Sequence, residues 1–221
     1  DHTYDAKDLS WGVLDNYMQD FIDKTDGKKR MVLVEGGEKI LATGRRDQIK
    51  AMGEAYYTWY LAQSSAIPVI SPEPEIAEQL NFLSGTFPKD VIITSVFAEQ
   101  LCIRSNYIKP DNIEGSLESY LDYVKGVTKW EENLFDIKNI FECYEKTSGI
   151  DLDYNNLEYI RKETDPYLDI NTINDVINAK SQFKDKITLK NTKDLWDKGY
   201  NIFAVFGKSH AIMHEISMKE W

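Results

Sequence analysis

Over residues 8–23, "DLSWGVLDNYMQDFID", the apolar positions Leu9, Val13, Leu14, Tyr17, Met18 and Phe21 recur three and four apart with acidic residues between them. That period predicts an amphipathic helix. In "KKRMVLVEGG" a four-residue apolar run lies between basic residues and a glycine pair, which predicts a buried strand ending at Glu35. The stripe Ile49, Met52, Tyr56 and Tyr60 predicts another helix, and "AIPVISPEPE" a short strand stopped by prolines.

From Glu75 to Ile108 the pattern is helical, broken at "SGTFPKD" by Gly85 and Pro88. Within it "VIITSVFAEQLCI" carries two signals: its β-branched start favours a strand, its length and its tail a helix. Residues 115–147 predict a long helix or a helix pair hinged near "KGVTKW", and "ETDPYLD" a turn before a further helix. "QFKDKITLKNTKDLWDKGY" predicts an amphipathic helix closing on Gly199, followed by the strand "NIFAVFG". Helices between short apolar strands imply an α/β fold: a small, mostly parallel sheet flanked by helices. The expected organisation is one domain over 1–221, with 85–180 a mainly helical insertion or cap.

Composition narrows the function classes. The 221 residues are 42% hydrophobic and 29% charged, and no apolar run approaches the ~20 residues of a membrane helix. A net charge of −11 argues against a nucleic-acid groove, which needs clustered Lys and Arg. The two cysteines, Cys102 and Cys143, are too few and too isolated for a disulfide framework or a metal knuckle, and both are expected as buried thiols. "DHTYDAKDLSW" lacks a basic and apolar leader, so the expected compartment is the cytoplasm.

In open parallel sheets ligand sites lie beyond the carboxyl ends of the strands. Each predicted strand delivers a titratable group there: Glu35 after "MVLV", Glu73 after "PVISP" and His210 after "IFAVFG". A carboxylate in such a place also has a purely structural use, capping free N–H groups at a loop or helix start. His210 and His214, at i and i+4, share a helical face and could share a metal, but the Glu of an HExxH site is missing between them. By that reading one histidine is functional and the other packed or on the surface.

The order of these fragments resembles the Tiki/TraB group, which includes erythromycin-esterase-like and haem-uptake-like proteins and is marked by a pair of GxxH motifs. "GKSH", Gly207 to His210, resembles the second motif; His2 in "DHTYD" resembles the histidine of the first, whose glycine would lie upstream of Asp1. "VLVEGG" with Glu35, "GEAYYTWYLA" with Gly53 and Glu54, and "PVISPEPE" with Glu73 resemble the segments between. The group's Arg-Asp pair falls on Lys184 and Asp185, where Lys keeps the charge without the bidentate fork.

The resemblance implies a hydrolase site built from His2, Glu35, Glu54, Glu73, Lys184 and His210, acting on a peptide or ester bond of a peptide or small-molecule substrate. Water activation would use either a divalent metal (Mn, Co or Zn) on His2, Glu35 and His210, or a histidine tuned by a glutamate with Lys184 facing the oxyanion. The alternatives are a haem or other cofactor held by His2 or His210 beside Tyr56, Tyr57 and Trp59, or a catalytically inactive relative. Those aromatics also fit a helical core stripe.

Overall fold

The computed structural model describes residues 10–37, 53–106, 110–154 and 157–219. In chain order the elements are α1 (Ser10–Lys24), β1 (Arg30–Val34), α2 (Glu54–Ser64), β2 (Val69–Ile70), α3 (Ile76–Leu83), α4 (Lys89–Arg104) and α5 (Pro110–Thr128). A 3-10 turn (Glu132–Phe135) then leads to α6 (Ile137–Ser148), α7 (Leu157–Glu163), α8 (Thr172–Asp197), β3 (Asn201–Val205) and α9 (Lys208–Met218). The fold is α/β, with a small parallel sheet among helices. The chain forms two compact units, residues 1–73 with 185–221, and residues 74–184.

The first unit carries the sheet, in the order β2-β1-β3 with both pairings parallel. Register pairs Val32 with Val69 and Phe203, so β1 is the central strand. This explains its unbroken apolar run: Met31, Val32, Leu33 and Val34 are all buried. Val32 and Val34 pack with Met18 of α1 and with Trp59 and Ala62 of α2. The outer strands read less clearly because β3 is only half-buried and β2 has two residues. Tyr57 and Trp59 belong to this unit's core, Tyr57 meeting Trp11 edge-on at 5.2 Å and donating its O–H to Asp15 at 2.6 Å.

The second unit is helical. Its core gathers Leu80 and Leu83 of α3, Ile92 to Leu101 along α4, Leu117 and Leu121 of α5, and Ile140 and Tyr144 of α6. Ile160, Ile173 and Val176 of the later helices complete it. The ambiguous "VIITSVFAEQLCI" is helix, buried nearly all round, which is why its apolar positions show no one-sided stripe. The predicted hinge lies at the end of α5, where Lys129 takes a left-handed φ of 55° before the 3-10 turn. Asp136 caps α6 by accepting from the Lys138 N–H at 2.8 Å, and Gly149 ends it at φ 79°.

Both cysteines are free thiols; Cys102 is buried as expected, whereas Cys143 is only half-buried. Among the described residues no helix is long and apolar enough to cross a membrane.

Candidate functional site

Because β1 and β3 are parallel neighbours, the chain leaves both at the same sheet edge. After β1 comes Glu35, whose backbone N–H still donates to Val205 O at 3.2 Å, extending the ladder by one bond. Gly36 and Gly37 follow with φ of 84° and 77°, a left-handed turn that β-carbon-bearing residues resist. The Gly36 N–H donates to Glu73 Oε2 at 3.0 Å and the Gly37 N–H to Ser71 Oγ at 3.2 Å, so the segment after β2 pins the turn after β1. Glu73 therefore serves as the acceptor for the Gly36 amide, the structural use open to such carboxylates.

After β3, Gly207 precedes α9, and its N–H donates to Glu35 Oε2. The carboxylate thus ties the start of α9 to the end of β1, where the positive end of the helix dipole favours it. His210 lies in the first turn of α9 and His214 one turn on, on the same face. Both reach one atom: Asp185 Oδ1 on α8 lies 2.8 Å from His210 Nδ1 and 3.1 Å from His214 Nε2. On its far side His210 Nε2 is 3.7 Å from Glu35 Oε1, too long for a direct hydrogen bond.

Burial pushes the Asp185 carboxyl up, but hydrogen bonds from His210 and His214, with their charge, outweigh it and hold Asp185 well below the usual carboxylate range. An ionised carboxylate only accepts, so the Nδ1–H of His210 and the Nε2–H of His214 are the donors. His214 is 3% exposed, its ring meets Phe206 edge-on at 5.1 Å, and its Nδ1 has no partner.

Asp185, His210 and His214 place three ligand atoms within 4.8 Å of one another, the one such group of His, Cys, Asp and Glu among the described residues. Two imidazole nitrogens and a carboxylate oxygen suit a divalent transition metal. Of the metal set implied by the resemblance, His210 belongs to this group, Glu35 faces its other nitrogen, and His2 lies outside the described residues. Glu54 sits in the first turn of α2 after Gly53, and half-buried Lys184 precedes Asp185 on α8. Successive helical residues diverge by about 100°, so Lys184 and Asp185 point different ways from their shared helix.

Asp185 is the member the sequence reading valued only as a neighbour of Lys184. Nothing in the spacing of α8 separates it from Asp175 or Asp194 on the same helix; the signal that existed was the His210 and His214 pair, which asks for a third ligand. No family model, no curated protein and no solved structure matches this chain.

Proposed function

We propose that the chain is a hydrolase that activates water at the Glu35–His210–Asp185 cluster, acting on a peptide or ester bond, as the likeness to the Tiki/TraB group implies. The observation that carries this reading is the position of His210 between two carboxylates, Asp185 at Nδ1 and Glu35 at Nε2. Asp185 fixes the tautomer by accepting from Nδ1–H, which leaves the Nε2 lone pair facing Glu35. A single water giving one proton to each would bridge these two acceptors, which stand 3.7 Å apart. Such a water presents its lone pairs outward, and His210 removes its proton as it attacks a carbonyl.

A divalent metal of the Mn, Co or Zn kind, carried by Asp185, His210 and His214, would supply Lewis acidity on the Asp185 side of His210 instead, and the Nε2 of a ring ligated through Nδ1 would then keep its proton and not act as base. The test is turnover of a panel of nitrophenyl esters and fluorogenic peptides. His210→Ala is expected to lower turnover by roughly 100-fold or more, with an unchanged circular-dichroism spectrum. Undiminished turnover in that variant refutes the reading.

A further inference from the structure

We propose that Asp185, His210 and His214 form a binding site for one divalent transition ion, with Glu35 as the outer carboxylate that orients His210. The inference deepens the hydrolytic reading by naming its cofactor and ligand set, and it rests on the same cluster.

Three observations converge. The first is geometric. Oδ1 of Asp185 stands 2.8 and 3.1 Å from the two imidazole nitrogens, whereas ligands about 2.0–2.2 Å from a tetrahedral ion are roughly 3.3 Å apart. Asp185 Oδ1 needs to open from each nitrogen by only a few tenths of an ångström, all three ligand atoms lie within 4.8 Å of one another, and α9 already presents both histidines on one face. Three protein ligands also leave a coordination position open, the arrangement of catalytic rather than structural sites.

The second is a mismatch of donors. A neutral imidazole has a single N–H, yet carboxylates face both nitrogens of His210. With an ion at Nδ1, the ring proton would reside on Nε2 facing Glu35 Oε1, 3.7 Å away, and a closure of about half an ångström would complete the carboxylate–histidine–metal arrangement that fixes ligand orientation. Glu35 is itself held for this by the Gly207 N–H.

The third is His214. A ring that is 3% exposed, with Nδ1 unpartnered, makes its one polar contact at the Asp185 end. An apolar residue would fill that space without leaving a buried polar atom unsatisfied. Ligation through Nε2 accounts for a histidine there. The nitrogen-rich set favours Zn or Co over Mg or Ca, which prefer all-oxygen shells.

The experiment is calorimetric titration of the full, chelator-stripped chain with Zn²⁺, and separately with Co²⁺ while the visible absorption is recorded. The expected result is one ion per chain, with the absorption bands of four- or five-coordinate Co²⁺. His214→Ala and Asp185→Asn should each weaken binding by roughly 100-fold, while Asp197→Asn, farther along α8, should not change it. Absence of binding by the wild-type chain, or an affinity indifferent to both substitutions, overturns the proposal; the wild-type measurement stands whether or not either variant folds. Turnover is not read, so an ion bound by a chain that hydrolyses nothing upholds the site and refutes the hydrolytic reading alone.

Discussion

Glu163 ends α7 with no solvent exposure, its carboxylate accepting from the Tyr144 O–H at one oxygen and from the Asn171 side-chain amide at the other. Burial raises its pKa by more than these hydrogen bonds lower it. A carboxyl whose folded pKa is raised contributes stability that is fully present below the unfolded pKa, about 4.3, and is lost as pH rises through the folded value. Urea unfolding at a series of pH values should therefore show the wild type losing stability above about pH 4.3 relative to Glu163→Gln; parallel curves would contradict this. Nearby, Asn174 is fully buried and uses every valence of its amide: Oδ1 accepts from the Ile170 and Asn171 N–H groups, and Nδ2 donates to Lys162 O and Asp165 O. Asn174→Ala deprives four backbone groups, at Lys162, Asp165, Ile170 and Asn171, of that amide and should cost about 3 kcal/mol in the same assay. Residue by residue, the site was half legible. Glu35 and His210 follow from where strands end and His214 from its i+4 spacing to His210, but Asp185 acquires meaning only when α8 and α9 meet, a long-range event that leaves no local trace in the sequence.

At the scale of elements, legibility follows how many faces an element buries. α1 is the helix its period predicts, but the buried face is turned from the predicted stripe: Trp11 and Met18 face inward with partly buried Leu14 and Phe21, whereas Val13 and Tyr17 are exposed. β1 shows its run because both faces are covered. α4 hides its period because nine of its residues are buried around its circumference, so β-branched composition and helical length point in opposite directions. The junction of α8 and β3 was readable from one residue. Gly199 adopts φ +79°, its N–H donates to Trp196 O at 2.8 Å, and a β-carbon there would meet nothing within 4 Å. With no steric contact to relieve, Gly199→Ala isolates the backbone cost of the left-handed conformation, about 1 kcal/mol. A fall of that size in urea unfolding is expected, and no change would place the strain elsewhere.

In the molecule as a whole, each unit has its own apolar core, and among the described residues the helical unit's is the larger. Leu117 of α5 is fully buried in it. Leu117→Ala should cost about 2–5 kcal/mol through the cavity it leaves, read as faster amide hydrogen exchange along α4 and α6; protection there equal to the wild type would contradict that packing. The helical unit is one uninterrupted stretch, 74–184, whereas the sheet unit is assembled from both sides of it. β1 pairs with β3 across 171 positions of chain, Arg30 with Asn201, and Glu35 finds the Gly207 N–H 172 residues away. Contacts so distant in sequence close late, since the entropy of a long loop is lost before any pairing compensates. As the chain leaves the ribosome, every residue of the helical unit is made before β3 exists. The cluster is therefore joined only after the whole helical unit has been made: until α9 emerges, Glu35 and Asp185 are two carboxylates awaiting the histidines that bridge them.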